Sequence, residues 1–318
     1  MEGNFRDALG EAFVRMGEEF ESLAIVTADV SKSTRSIRFK EKYPERFFSV
    51  GIAEADAVGI SAGISTWGGP VIFTAYSVFA TEKPFEQIRN MLCYPNLNVK
   101  VVATHGGISV GQDGVTHQAV EDIAIMRAIP NMKVVVAADP GEVLAALREV
   151  VRTPGPVFLR LGRGEAEVLH EDAENVDFRI GKAEVLRDGK DVTLIAVGLM
   201  VWEALQAAQM LIKDGIDVRV INLRSVKPLD EQAVVTAARE TGAIVVAEDH
   251  NCFGGVGSAV AECLVKHAPV PMEQVALCDT FAESGEACLL MKKYGLTKEE
   301  ICLRAKKVLA RKNGSGIW

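Results

Sequence analysis

Three stretches of the sequence carry side chains able to move a proton or grip an anion. In VGIAEADAVGISAGIS (50–65), Glu54 stands where a strand-like run gives way to mostly small residues. An acid in a first helical turn can do no more than favour the helix dipole. The same carboxyl set among Ile52, Ala57, Val58 and Ile60 would be costly to ionise, with its pKa raised, and able to share a proton with a nitrogen base. In THGGISVGQDGVTHQ (104–118), His105 and His117 flank Asp113 among glycines that let a backbone approach closely. The spacing His-x7-Asp-x3-His makes a poor zinc set with no fourth ligand near, so no metal is assigned to this chain. A polar pocket for hydroxyls and phosphate and a glycine-rich surface loop are both open readings. In GPVFLRLGRGEAE (155–167), Arg163 follows a strand inside a glycine turn. A guanidinium there can hold an anion through two hydrogen bonds or simply face water.

Near-continuous Val/Ile runs position these residues. Strands are expected at 23–30, 46–52, 70–79, 99–105, 132–139 and 156–161, with helical patterns from about 53, over 84–93 and 120–129, and after Pro140. Apolar strands alternating with helices indicate a parallel sheet covered on both faces. In such sheets ligands bind outside the carboxyl ends of the strands, where all three stretches fall. Polarity and turn residues then dominate, so 166–190 reads as a linker with a hairpin, separating a first domain (1–165) from a second, smaller α/β set (191–318). The last stretch, ARKNGSGIW (310–318), reads as frayed surface.

Bulk properties exclude several function classes. The chain has 318 residues, 48% hydrophobic and 25% charged, with net charge −8. No basic run supplies the electrostatic footprint of a nucleic-acid binder. No apolar run is long enough to cross a bilayer, and the N-terminal 20 residues form an amphipathic pattern rather than a signal peptide. Six cysteines at 93, 252, 263, 278, 288 and 302 form no CxxC pair, which argues against metal or redox use. A cytosolic setting is expected. There is no GxxxxGK[ST], and the glycines of DHNCFGGVGSAVAE (249–262) are weak evidence for nucleotide binding.

At these same residues the chain resembles the C-terminal portion of transketolase, the pyrimidine-binding and C-terminal domains of a thiamine-diphosphate enzyme. The likeness rests on VGIAEADAVGISAG, on GISVGQDGVTHQAVEDIAIMRAIPNM, and on AEDHNCFGGVGSAVAE with DTFAESGEACLLMKKYGLT. It implies an α/β fold of two such domains and ketol transfer between sugar phosphates of the pentose phosphate pathway. By resemblance Glu54 is catalytic and faces the cofactor's aminopyrimidine, its proton on a ring nitrogen favouring the tautomer from which the cofactor's carbanion chemistry starts. Tyr76 and Phe79 stack the ring, and Asp29 and Ile52 complete the cofactor set. His117, also catalytic, and Asp113 contact the donor ketose, while His105, Arg163, Ser33 and Arg6 match the acceptor phosphate site, three of them as cations.

Two departures stand out: Glu82 where an aromatic is usual, and Asp56 where His is common. A larger one is the absence of the GDG motif through which the family binds Mg2+ and the diphosphate. The resemblance therefore implies a separate N-terminal subunit that holds Mg2+ and shares thiamine diphosphate with this chain, in an assembly of two copies of each. Rival readings are a deoxyxylulose-phosphate synthase-like subunit, which tends to carry Arg at the place of His105, the beta subunit of a 2-oxoacid dehydrogenase, and a non-catalytic scaffold.

Overall fold

The structure, a computed structural model, describes residues 2–314. Strands β1 (Glu2–Asn4), β2 (Ala24–Thr27), β3 (Phe47–Ser49), β4 (Val71–Tyr76), β5 (Val99–Thr104), β6 (Lys133–Val136) and β7 (Val157–Arg160) belong to the first unit. Helices α1 (Phe5–Glu19), α2 (Ile37–Lys42), α3 (Glu54–Ser65), α4 (Ser77–Thr81), α5 (Phe85–Gln87), α6 (Asp122–Ala128) and α7 (Val143–Arg152) alternate with them. Successive strand residues point to opposite faces, and both faces are apolar. Ile25, Ile72, Val102, Val135 and Leu159 pack with Phe5, Leu9, Phe13 and Met16 of α1 and Leu147 and Val150 of α7. Val26, Phe73, Val101, Val134 and Phe158 pack on the other side with Ala57, Val58 and Met126. Burying each large side chain of this kind contributes about 1.5–3 kcal/mol, which fixes register as well as stability.

That register aligns the carboxyl ends. Tyr76 lies opposite Thr104, Ala103 opposite Arg160, and Thr27 opposite both Thr74 and Ser49. The third strand is shorter than the run 46–52 implied, because the chain turns at Gly51 with φ +77° and then enters α3. The helix expected over 84–93 is α5 followed by a wider, π-type turn at Ile88–Cys93.

Strands β8 (Glu165–Glu167), β9 (Glu184–Arg187), β10 (Val192–Ala196), β11 (Val218–Asn222), β12 (Ser225–Lys227), β13 (Ile244–Asn251) and β14 (Met272–Leu277) follow. Helices α8 (Met200–Lys213), α9 (Glu231–Thr241), α10 (Val256–His267), α11 (Ala287–Lys293) and α12 (Lys298–Lys312) accompany them. The two larger sheets run β12-β6-β7-β5-β4-β2-β3 and β14-β13-β10-β11-β9. Their members are parallel except β12 and β9, antiparallel at the edges. Residues 166–190 thus do more than link: β8 pairs with β1, and β9 closes the edge of the second sheet. Of the stretch expected to fray, 310–312 finish α12, and 315–318 lie outside the described residues. No described helix is long and apolar enough to cross a membrane.

The units meet through β12 and through a buried charge clasp. His170 bonds Asp139 through Nδ1 at 2.7 Å and Glu184 through Nε2 at 3.0 Å. Arg224 pairs with Glu142 at 2.7 Å and also with Glu184. Glu142 further accepts from Asn222 Nδ2 at 2.9 Å and the Ala138 amide at 2.7 Å. Asp139 Oδ2 accepts the amides of Gly141, Leu169 and His170. Asp139, Glu142 and His170 lie close enough to hold a cation, but the Arg224 guanidinium already answers their charge.

Candidate active site

The carboxyl edge of the first sheet brings the expected residues together. Glu54 opens α3 just past β3 and is only 6% exposed. Its carboxylate does not stand alone among apolar groups: Lys83 Nζ sits 3.2 Å from both oxygens. The same ammonium lies 4.8 Å from the centre of the Phe79 ring, so one cation joins the acid to the aromatic group. Tyr76 ends β4 and Phe79 lies one helical turn on, in α4, with ring centres 6.0 Å apart. Tyr76 stacks on His105 at 3.9 Å, and Phe79 meets His117 edge-on at 5.1 Å. Acid, aromatics and both histidines therefore form one connected group.

His105 follows β5 in a left-handed conformation, φ +65°, and is buried. Its Nδ1 is 2.7 Å from Thr104 Oγ1. Burial, then the charges of Arg163 and Arg6, push its pKa down to about 3. That shift favours the neutral ring, whereas the resemblance implied three cations at this place. Asp113 and His117 lie on the loop between β5 and α6. Arg163 reaches that loop, donating to the Val110 carbonyl and approaching Asp113 at 3.4 Å. Arg6, in the first turn of α1, has a buried Nε with no partner.

The remaining candidates are less closely tied to this group. Asp29 is exposed just beyond β2 with φ +60°, and Ser33 is half-buried in the next turn. Ile52 is 76% exposed at the mouth of α3, so it does not enclose Glu54 within this chain. Glu82 sits at the pocket rim with Val78, Phe79, Val115, Glu121 and Phe281. Burial of its carboxyl, then Glu121 and Asp122, push its pKa up to about 7. Nothing in the structure explains Asp56, which is exposed.

Sequence reasoning missed the groups that hold the site in shape. Lys83 is one. Another is a buried chain in which Ser77 Oγ donates to Asp122 at 2.6 Å and Arg160 Nε donates to the same oxygen at 2.7 Å. Arg160 goes on to donate to the backbone carbonyls of Ala119 and Asp249. An arginine inside the apolar strand PVFLRL (156–161) was the available signal, since a buried charge requires partners.

Comparison with known proteins shows which family has this pair of domains. The transketolase pyrimidine-binding domain matches residues 2–168, and the transketolase C-terminal domain matches 181–301. A putative transketolase C-terminal section of Methanocaldococcus jannaschii is 41% identical, covering 94% of both chains. A 6-deoxy-6-sulfo-D-fructose transketolase subunit of a Clostridium species is 39% identical over 97% of this chain and 95% of its own. The 1-deoxy-D-xylulose-5-phosphate synthase of Desulforudis audaxviator is 38% identical, but this chain spans only 47% of it. Among solved structures, a split-gene transketolase described as an inactive beta4 tetramer superposes with TM-score 0.89 at 42% identity, covering 97% of this chain and 99% of that one. A Campylobacter jejuni transketolase at 22% identity and TM-score 0.79 shares the fold over 95% of this chain and 46% of its own. Matched over nearly its whole length by C-terminal sections, and spanning just under half of the one-chain enzymes, the chain belongs to the transketolase family and corresponds to the C-terminal subunit of a split transketolase.

Proposed function

We propose that this chain transfers a two-carbon ketol unit from a ketose phosphate to an aldose phosphate, and does so only when joined to an N-terminal subunit. The observation that carries the reading is the buried Glu54 carboxylate, joined through Lys83 to the Tyr76–Phe79 pair at the sheet edge. Those residues fit the pyrimidine of thiamine diphosphate: a flat aromatic wall and one acid able to hold a proton at a ring nitrogen. When bound, the cofactor supplies the carbanion chemistry that no side chain can. In this reading Glu54 leaves Lys83 for the ring, or shares it, and Tyr76 and Phe79 fix the ring's plane. Asp113 and His117 bind the donor's hydroxyls. Arg163 and Arg6 meet the acceptor's phosphate, with neutral His105 as a hydrogen-bonding partner and Ser33 beside it. Asp29 and Ile52 contact the cofactor only in the assembly.

The diphosphate end is different. Magnesium needs a set of oxygen donors around an open octahedron. Among the described residues the one compact group of metal-capable donors is the Asp139–Glu142–His170 clasp, whose donor atoms are already bonded. This supports a partner chain that carries the GDG motif, holds Mg2+ and completes an assembly of two copies of each subunit. We place that assembly in the cytosol, in keeping with six free thiols.

The test is to co-express the chain with such a partner and assay with thiamine diphosphate and Mg2+. Xylulose 5-phosphate cleavage with ribose 5-phosphate as acceptor is expected from the pair, and none from this chain alone. Turnover by the lone chain contradicts the split-site reading, and consumption of pyruvate in place of the ketose favours a deoxyxylulose-phosphate synthase-like activity.

A further inference from the structure

We propose that Asp249, in the second unit, is a positioning residue for the donor loop of the first: its buried carboxylate sets the backbone at 107–109 and thereby places Asp113 and His117. The inference rests on the reading of that loop as sugar-binding. Asp249 lies in β13 and is 3% exposed. Its Oδ1 accepts the Ile108 amide at 2.9 Å and its Oδ2 the Ser109 amide at 3.4 Å. Burial raises its pKa, while Arg160 and those amides act in the opposite direction. A carboxylate is a costly way to fill buried space, since an apolar side chain of similar size would serve stability as well or better. It does provide two directed acceptors for consecutive amides.

The fit is close. Gly107 has φ +78°, and a Cβ there would lie 2.0 Å from Asp249 Oδ2, so any side chain at 107 would expel the carboxylate. The backbone of Asp249 is itself fixed, its carbonyl accepting from Arg160 Nη2 at 2.8 Å. Arg160 is locked on Asp122, which also holds Ser77, the neighbour of Tyr76. A single buried chain thus runs from the aromatic wall to the start of the loop. The second unit ties the rest as well: Ser284 Oγ donates to the Gln112 carbonyl at 2.5 Å, and Gln118 Nε2 to the Glu283 carbonyl at 3.0 Å. Ile108 is buried in the second unit's core with Leu290 and Leu296. Between these ties, among the described residues, the side chains of Asp113 and His117 meet groups of the site itself: Arg163, Thr116 and the aromatic pair.

The test uses Asp249→Ala and Asp249→Asn in the full chain assembled with the N-terminal subunit. Asp249→Ala is expected to raise the donor KM about tenfold or more, the scale of a lost hydrogen bond to a charged group, with equilibrium cofactor affinity within about twofold. In the chain alone, amide exchange over 106–118 is expected to quicken about tenfold while other segments hold. Asp249→Asn keeps one acceptor for Ile108 and is expected to recover most of both; if the alanine variant does not fold, Gly107→Ala takes its place, since a Cβ there expels the carboxylate. Gly107→Ala is expected to copy Asp249→Ala, and the two together to do no more than either alone. An unchanged donor KM in the alanine variant, equal losses of donor and cofactor affinity, or additive Gly107 and Asp249 effects overturn the positioning role. A wild-type assembly without ketol transfer overturns the proposed function instead, an outcome that exchange in the lone chain tells apart because the tether is read there without turnover.

Discussion

In the clasp between the two units, His170 gives both ring nitrogens to carboxylates, and all four oxygens of Asp139 and Glu142 are bonded within the chain. At the sheet edge, among the described residues, the His117 ring is in hydrogen-bond reach of the Thr116 hydroxyl and Asp113 pairs with Arg163 at 3.4 Å. Both regions are built from acids, histidine and arginine. The clasp spends its polar capacity on itself and so holds two domains in place. Among the described residues the edge leaves hydrogen-bonding capacity unspent, as the proposed ligand site requires. Residue type alone does not mark a functional site; unspent hydrogen-bonding and charge do.

The sharpest way to break this comparison is to remove one acid from each region. Glu54→Ala in the two-chain assembly is expected to cost about 10²–10⁴ in ketol transfer, the range for a group that holds a proton at the reacting system. The fold should be unaffected, as judged by thermal unfolding. Unchanged turnover would place Glu54 with the structural acids.

His170→Ala is expected to do the reverse. Removing one partner of a buried, hydrogen-bonded charge group costs about 3 kcal/mol of stability, while transfer below the unfolding transition stays near wild type. The effect depends on pH with a definite sign. Burial works against the imidazolium, yet its bonds to Asp139 and Glu184 and the Glu142 charge push its pKa up to about 10, from an ordinary value of 6.5. Because the folded value is the higher one, the contribution is full below about 6.5 and fades as pH rises through about 10. Unfolding of wild type and variant followed from pH 6 to pH 10.5 should therefore converge at the alkaline end. A gap of constant size would contradict the charged clasp.

The smallest effect belongs to Lys83. It is half-exposed, and such a pair is worth about 1 kcal/mol or less. Lys83→Met is expected to tighten thiamine diphosphate binding by about fivefold at most, since the ring no longer competes with the ammonium for Glu54. Weaker binding by equilibrium titration would instead make Lys83 part of the cofactor's own pocket.

How much of this could be read from the sequence follows from how local each signal was. Glu54, His105 and Arg163 come shortly after strands, and Asp113 and His117 lie on the loop that leaves β5, so placing them on one carboxyl edge needed only the parallel-sheet rule. Lys83 meets Glu54 across 29 residues, and Asp249 meets Ile108 across 141. Such contacts depend on register and domain packing, which periodicity does not encode. The charge on His105 was missed for a related reason, because burial and two neighbouring arginines set it. The linker hid β9, whose run EVLR (184–187) is too short and polar to stand out until it pairs with β11. The last helix had a readable start: Thr297 caps it by accepting the Glu300 amide, though its polar sequence offers little apolar periodicity.

The most direct test of the central claim is a structure of the two-chain assembly with thiamine diphosphate bound, read at one distance. The account predicts a Glu54 carboxyl oxygen within hydrogen-bonding reach, about 2.7–3.2 Å, of a pyrimidine ring nitrogen, with the ring against Tyr76 and Phe79. A Glu54 still held by Lys83 or facing water, with the ring bound elsewhere, would contradict it.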